Sequence, residues 1–134
     1  MLPTDEMIEA ILDFKTIAVV GLSPNPGRAS HSVAQYLLAN GYRIIPVNPG
    51  HEEIMGFKSY PTLADIPEPV GIVDVFRRAE YTPAIAEKAV AIGAQAFWLQ
   101  LGISNDEAMQ TATAGGLLAV QNLCIKIEHA RLRR

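Results

Sequence analysis

Short apolar runs alternate along this chain with segments of helical periodicity, and this alternation restricts the possible folds more than any other feature. The clearest run covers residues 15–21 and ends in a glycine. A continuous apolar run of this kind predicts a strand that is buried on both faces. Strands covered on both faces are typical of parallel sheets flanked by helices. The run therefore predicts an α/β protein.

The same period returns along the rest of the chain. Further strands are predicted at residues 42–50, 71–76, 96–102 and 117–120. Helices are predicted at residues 4–14, 30–41, 82–92 and 105–114. Because right-handed crossovers make successive strands parallel, the pattern predicts a Rossmann-like, doubly wound α/β fold. It has about five parallel strands with helices on both faces, in three α/β/α layers.

Local signals refine some of these elements. Thr4 and Ser30 are the predicted N-caps of the first and second helices, and Gly41 is predicted to end the second. Residues 50–68 have no clear period, and a short helix or turn is expected there. The stretch around His129 is interpreted as a basic tail.

Length and composition exclude several function classes. The 134 residues predict a single domain, with an N-terminal helix at residues 1–14 and a core at residues 15–131. With 49% hydrophobic and 19% charged residues, disorder is excluded, and the net charge of −3 argues against a nucleic-acid partner. No run approaches the roughly 20 apolar residues of a membrane span. The start of the chain is acidic where a targeting peptide would be basic, so a cytoplasmic protein is expected.

The loop after the first predicted strand is the first candidate site, because open parallel sheets bind ligands at the carboxyl ends of their strands. Residues 21–30 are rich in glycine and hydroxyl groups and lead into a helix. Backbone N–H groups and the helix dipole favour a phosphate there, and Arg28 adds a positive charge. The plainer alternative is that the loop only supplies turn residues.

This loop departs from the dinucleotide fingerprint. The pattern G-x-G-x-x-G needs a glycine at position 23, where the chain has Ser23, and the next glycine is Gly27. The second strand should also end in an acid that holds the ribose diol, yet it ends at Asn48 and Pro49. NAD and FAD are therefore disfavoured, and NADP is only slightly better supported.

The third predicted strand ends in an aromatic residue and two cations, Phe76, Arg77 and Arg78. A phenylalanine ring can flank adenine, and guanidinium groups bind phosphates. The alternative is a core phenylalanine followed by solvated arginines.

Other chemically notable side chains give weaker signals. Trp98 is expected in the core, and Asp74 is expected to be held by backbone donors or to lie near the rim of the site. Cys124 has no CxxC partner, so an inert buried thiol is favoured over a nucleophile. The three scattered histidines lack the spacing of metal ligands. No catalytic residue and no metal site are predicted.

Five ordered blocks carry a resemblance to a known family: IAVVGLSP with RAS, GYRIIPVNP, VDVFRR, WLQLG and CIKIEH. They resemble the small, stand-alone CoA-binding proteins of bacteria, which are similar in fold to the N-terminal domain of the succinyl-CoA synthetase alpha subunit. The resemblance extends over residues 14–131.

The resemblance implies a coenzyme A site at the carboxyl ends of the strands, with the CoA phosphates on the first loop. The synthetase has a basic residue after its second strand, and this chain does not. The phosphorylated histidine of the synthetase belongs to a second domain outside the resemblance, so ligase activity is not implied. With Arg78 added from the argument above, the expected cofactor-binding residues are Gly21, Leu22, Ser23, Arg28, Ala29, Ser30, Asn48, Pro49, Val75, Phe76, Arg77, Arg78, Gln100, Leu101 and Gly102.

The leading hypothesis is a module that binds coenzyme A or an acyl-CoA without catalysis of its own. CoA carries a phosphate beside its 2′-hydroxyl, so an acid after the second strand would repel it. One alternative is a small NADP- or acyl-CoA-dependent enzyme that uses Cys124 or a histidine. Another is a CoA-sensing regulatory subunit, and a protein partner or homo-oligomer is compatible with each hypothesis.

Overall fold

The computed structural model describes residues 2–133, in which five strands form a parallel sheet and two more form a small antiparallel pair. The strands are β1 (Thr16–Val20), β2 (Arg43–Val47), β3 (Glu53–Ile54), β4 (Phe57–Lys58), β5 (Ile72–Val75), β6 (Ala96–Leu99) and β7 (Leu118–Val120). The large sheet has the order β2-β1-β5-β6-β7. The predicted doubly wound, five-stranded parallel sheet is confirmed.

Five helices cover the two faces of the sheet. They are α1 (Asp5–Leu12), α2 (Ala29–Ala39), α3 (Thr82–Ala91), α4 (Asp106–Ala114) and α5 (Ile125–Leu132). One hydrophobic cluster joins the sheet to α1, α2 and α5, and a second joins the opposite face to α3 and α4. The three-layer α/β/α architecture is therefore confirmed.

The strands read as continuous apolar runs because both faces of the sheet are buried. Successive side chains of a strand point to opposite faces. In β1, Val19 packs in the cluster under α1, α2 and α5, whereas Ala18 packs in the cluster under α3 and α4. In β5, Ile72 belongs to the first cluster. Asp74, two residues further on, therefore also faces α1, α2 and α5.

The strand order places a switch point between β1 and β5. From β1 the chain passes through α2 to the outer strand β2, and it then returns past β1 to pair β5 with β1. At such a point the connections leave in opposite directions and open a crevice at the carboxyl ends of the strands. The loops that follow β1 and β5 therefore form the centre of the candidate site.

Several local expectations are corrected. Ser30 is not the N-cap of α2: the N-cap is Arg28, and Ser30 lies in the first helical turn. The region of residues 50–68 contains the β3–β4 hairpin as well as a 3-10 turn at Leu63–Asp65, where only a helix or turn was expected. The basic tail around His129 is the helix α5.

Other local expectations hold. The Thr4 side chain accepts a hydrogen bond from the Met7 N–H and caps α1. Gly41 follows α2 with a φ of +89°. Among residues 2–133, no helix combines the length and the apolar character needed to cross a bilayer.

Candidate functional site

Gly21 and Phe76, the first residues beyond β1 and β5, lie against each other at the switch point. The Phe76 N–H donates to the Val20 carbonyl at 2.8 Å. Gly21 has a φ of +88°, and a Cβ added there would lie 2.6 Å from the Phe76 carbonyl oxygen and 3.0 Å from Cδ of Arg77. The first loop therefore runs directly beside the end of β5, and only glycine tolerates both this conformation and this approach.

The loop after β1 is braced by its own side chains. The Ser23 N–H donates to Oγ of Ser30 at 3.0 Å, and the Ser23 carbonyl lies 3.1 Å from Nδ1 of His31. Oγ of Ser23 accepts from the Asn25 N–H at 3.1 Å, and Oδ1 of Asn25 accepts from the Gly27 N–H at 2.8 Å. Ser30 thus ties the loop to the first turn of α2 instead of capping that helix.

Asn48, at the end of β2, connects the first and second loops. Its Nδ2 donates to the Leu22 carbonyl at 3.0 Å, and its Oδ1 accepts from the Gly50 N–H at 2.9 Å. Leu22 as a whole residue is fully buried, so it contributes the carbonyl that Asn48 binds but no exposed surface to the loop. A single amide therefore fixes the relative position of two loops.

The start of α2 lacks a side-chain cap. Its N-cap, Arg28, makes no side-chain capping hydrogen bond, as is also true at the starts of α3 and α5, whereas α1 is capped by Thr4 and α4 by Asn105. The first N–H groups of a helix have no partner within the helix, and together with the helix dipole they favour an anion.

A cavity of about 380 Å³, here called the central cavity, lies between these loops and the end of β5. It is lined by Gly21, Ser23, Pro24, Arg28, Asn48, Pro49, His51, Phe76 and Arg77. The Arg77 guanidinium lies 4.9 Å from the centre of the Tyr81 ring, a cation–π distance. Within residues 2–133, no carboxylate forms a salt bridge with Arg28 or Arg77. The cavity therefore carries two cations whose charges are not neutralised by the protein.

Two further cavities adjoin the central cavity on the β2 side. One, of about 720 Å³, lies between the second loop and the β3–β4 hairpin, and His51 and Lys58 are among its lining residues. The other, of about 150 Å³, is a mostly apolar slot between Pro49 and Pro61, with Lys88 at its wall. Sequence reasoning missed His51, Lys58, Lys88 and Pro61 as lining residues, because nothing in residues 50–68 predicted a hairpin that folds back beside Asn48.

On the β6 side, Phe76 and Arg77 also line a second opening of about 450 Å³, here called the apolar groove. Its lining residues are Ala29, Val33, Phe76, Arg77, Arg78, Gln100, Leu101, Ile103, Cys124 and Ile127. Ala29 and Val33 belong to α2, and Ile127 belongs to α5. Sequence reasoning missed the α5 residues because it did not predict that helix.

Twelve of the fifteen expected binding residues line the two openings or supply the braces of the first loop. Seven line the central cavity, namely Gly21, Ser23, Arg28, Asn48, Pro49, Phe76 and Arg77. The groove adds Ala29, Arg78, Gln100 and Leu101, and Ser30 braces the loop. The other three lie elsewhere: the side chains of Leu22 and Val75 are in the core, and the Gly102 N–H donates to Oδ1 of Asn122 at 2.8 Å.

Two expectations about side chains need correction. Asp74 was expected to be held by backbone donors or to lie near the rim of the site, and the first alternative is wrong: Asp74 is fully buried, and neither of its carboxylate oxygens has a hydrogen-bond partner among the described residues. Its burial raises the pKa of the carboxyl well above its ordinary value. Cys124 is half-buried instead of enclosed, because it lies at the wall of the groove. Trp98 is fully buried, as expected.

The histidines are engaged in structural contacts. Nδ1 of His129 lies 2.8 Å from the Tyr36 hydroxyl, and burial lowers the pKa of His129. His31 faces the Ser23 carbonyl. Across the described residues, no group of three His, Cys, Asp or Glu side chains is placed to hold a metal ion.

Comparison with known protein families decides which family has this arrangement. The family described as a CoA binding domain matches residues 15–130, nearly the whole chain. The chain belongs to the CoA binding domain family. The expected resemblance is thereby confirmed, and membership supports CoA binding in general.

Members of the CoA binding domain family occur both alone and within larger proteins. Uncharacterized protein YneT of Bacillus subtilis is 44% identical over 125 residues, which is 93% of each chain. The alpha subunit of an ADP-forming acetate–CoA ligase of Pyrococcus furiosus is 33% identical over 60% of this chain, but the match spans only 19% of that subunit.

Solved structures agree with the sequence comparisons. A hypothetical protein from Pyrococcus horikoshii OT3 is 43% identical, with a TM-score of 0.93, 97% coverage of this chain and 92% of that one. A Thermus thermophilus structure is 35% identical, with a TM-score of 0.91, 97% coverage of this chain and 99% of that one.

Proposed function

We propose that this protein binds coenzyme A across the carboxyl ends of β1, β2 and β5, with the CoA phosphates in the central cavity. The observation that carries the proposal is the pair Arg28 and Arg77, which line this cavity beside the uncapped start of α2 and have no carboxylate partner within residues 2–133. Guanidinium groups and helix N–H groups are the usual partners of a pyrophosphate. Membership of the CoA binding domain family supports this choice of anion.

The adenosine half of CoA lies on the β2 side in this proposal. The slot between Pro49 and Pro61 offers apolar walls to a purine. The neighbouring cavity is lined by His51, Glu52, Glu53 and Lys58. His51 and Lys58 are the groups there that can meet the 3′-phosphate that distinguishes CoA from a dinucleotide, against repulsion from the two carboxylates. These residues take the place of the basic residue that the synthetase carries after its second strand.

The pantetheine arm of CoA then leaves the central cavity in the other direction. Phe76 lines both the central cavity and the apolar groove. We therefore assign its ring to the start of the pantetheine arm, although the sequence alone suggested a contact with adenine.

The proposal includes binding without chemical transformation of the ligand. A nucleophilic cysteine is normally activated by a base within hydrogen-bond reach. Of the two histidines on helices, His129 is paired with Tyr36 and His31 with the Ser23 carbonyl. Among the described residues, no histidine forms a hydrogen bond with Cys124, which favours binding over catalysis by this thiol.

Calorimetric titration with CoA, dephospho-CoA, NADP and adenosine tests the proposal. CoA is expected to bind most tightly, and dephospho-CoA about tenfold more weakly, because it loses the charge-assisted contacts of the 3′-phosphate. The absence of binding by CoA at millimolar concentration, or equal affinities for CoA and adenosine, would overturn it. Mass spectrometry of acyl-CoA after incubation with the protein tests the non-catalytic part. A product that forms only when the protein is present would contradict it.

A further inference from the structure

We propose that the ligand is an acyl-CoA with an apolar acyl chain, and that the apolar groove binds this chain. The inference rests on the proposed CoA site, and it goes further by assigning the acyl group and the surface that recognises it. Three observations carry it: continuity of the groove with the central cavity, exposure of apolar side chains in its wall, and scarcity of free polar groups in its lining.

The groove begins where the central cavity ends. Phe76 and Arg77 line both openings. A ligand whose phosphates lie beside Arg77 can therefore extend past the Phe76 ring into the groove without crossing the protein core. In CoA the end that reaches furthest from the pyrophosphate, opposite to the adenosine, is the thiol or its acyl ester.

The groove exposes large apolar side chains that burial would stabilise. Leu101 is 61% exposed and Ile127 is 55% exposed, and both line the groove. They are two of only a few large hydrophobic side chains with this much exposure among the described residues. Covering such surface with an acyl chain removes apolar area from water on both partners, which favours association.

Few polar groups in the lining are free for a neutral acyl chain. Oε1 of Gln100 accepts from the Ile125 N–H at 3.1 Å. The Arg77 guanidinium also lines the central cavity, where the proposed function gives it to the CoA phosphates, and the Arg78 guanidinium lies 3.6 Å from the exposed Glu80 carboxylate. An acyl chain with a neutral polar group of its own would lose water here and gain few partners, whereas an apolar chain loses no hydrogen bonds to water.

Calorimetry with CoA, acetyl-CoA, butyryl-CoA, hexanoyl-CoA and 3-hydroxybutyryl-CoA tests this assignment. We expect the affinity to rise about two- to fourfold for each methylene from acetyl to hexanoyl. 3-Hydroxybutyryl-CoA has the same carbon number as butyryl-CoA but carries a neutral hydroxyl, which Arg77 and Arg78 of the lining do not attract as they would a carboxylate, so it should bind more weakly than butyryl-CoA. Equal affinities along the series, or tighter binding of 3-hydroxybutyryl-CoA, would overturn the inference.

Ile127→Glu provides the matched variant. It places a carboxylate in the groove wall, while an acid in the first turn of α5 remains compatible with the helix dipole. The increase of affinity with chain length should disappear, and the affinity for CoA itself should stay within about twofold of wild type. Leu2→Glu is the control, because Leu2 is 88% exposed and lies outside the groove. If Ile127→Glu retains the chain-length dependence, the groove does not hold the acyl chain.

Cys124 provides a second readout that does not depend on affinity. It is the one cysteine of the chain, and it lies in the groove wall. At saturating ligand, hexanoyl-CoA should slow alkylation of Cys124 by iodoacetamide at least several-fold more than CoA does. Equal alkylation rates in the two complexes would contradict the proposal. Failure of all five ligands to bind overturns the CoA site itself, whereas binding with equal affinities overturns only the acyl groove.

Discussion

Asp74 of β5 is in register with Trp98 of β6, yet the indole N–H of Trp98 does not serve the carboxyl group. It donates instead to the Leu123 carbonyl at 2.7 Å. The donor on the neighbouring strand is therefore used to anchor the segment that leads into α5. Asp74 remains fully buried without a hydrogen-bond partner in the part of the chain that the structure describes, and it lies two residues before Phe76, just beneath the floor of the site.

The first prediction concerns the pH dependence of stability. Burial raises the pKa of Asp74 above its ordinary value of 3.8, so the folded state holds this proton more tightly than the unfolded state. The stability contributed by the neutral acid is complete below 3.8 and is lost as the pH rises toward the folded-state pKa. In Asp74→Asn this loss should be absent.

Urea unfolding of both proteins between pH 4 and pH 8 measures this effect. Between pH 4 and the folded-state pKa of Asp74, the free energy of unfolding of wild type should fall relative to that of Asp74→Asn by about 1.4 kcal/mol per pH unit. Parallel curves across the whole range would show that the Asp74 proton is not linked to folding.

The second prediction concerns the close approach of Gly21 to Phe76. Gly21→Ala should lower the free energy of unfolding by about 2–4 kcal/mol, because left-handed strain adds to a backbone clash. Gly41→Ala is the matched control, since Gly41 has nearly the same φ, +89°, but nothing within 4 Å of an added Cβ. It should cost only about 1 kcal/mol. Thermal unfolding measures both losses of stability. Equal losses would mean that the close approach to Phe76 adds no cost to an alanine at position 21.

The third prediction concerns the cations of the central cavity. Arg28→Gln and Arg77→Gln should each weaken CoA binding about ten- to a hundredfold, since a charge-assisted hydrogen bond contributes about 1.5–3 kcal/mol. Arg43→Gln is the control, because Arg43 pairs with Glu68 at the opposite end of β2. Calorimetry at two salt concentrations should also show a smaller salt dependence for the two cavity variants than for wild type. A similar loss in all three variants would indicate a general charge effect.

The fourth prediction concerns the brace between Ser30 and the first loop. Ser30→Ala removes the acceptor of the Ser23 N–H. It should cost about 1 kcal/mol of stability, and it should weaken CoA binding several-fold, because the loop must then be ordered by the ligand. Ser32→Ala serves as the control on the same helix, where the hydroxyl is exposed and only accepts from Lys126 at 3.5 Å. If Ser30→Ala bound CoA with wild-type affinity, the hydrogen bond between Ser30 and the first loop would not contribute to ligand binding.

Most of the sheet could be predicted because local sequence carries its signal. The apolar runs of β1, β2, β5, β6 and β7 are continuous, since each strand is covered on both faces. The first loop was also visible, because glycine, hydroxyl and arginine residues follow the strongest strand directly. The turn predicted at the end of residues 42–50 follows β2, whereas the strand predicted at residues 96–102 extended too far, since β6 ends at Leu99 and the last residues form a loop of the site.

The C-terminal helix was not predicted because its contacts are with residues distant in the sequence. Ile125 packs in the same hydrophobic cluster as α1, Arg131 pairs with Asp5, and Arg133 at the end of α5 pairs with Glu9 and Asp13. Local periodicity in the sequence does not show such contacts. The same holds for the β3–β4 hairpin, whose short strands lie beside the second loop through the hydrogen bond from the Asn48 N–H to the Tyr60 carbonyl at 2.9 Å.

The sequence by itself determined the parallel sheet, the phosphate-compatible first loop and the cations Arg28 and Arg77, because each depends on neighbouring residues and their period. Only the tertiary structure decided what surrounds them. The hairpin brings His51 and Lys58 to one side of the central cavity, and α5 brings Cys124 and Ile127 to the other. These neighbours come together through packing between segments that are distant in the sequence, and such packing produces no periodic pattern from which it could be predicted.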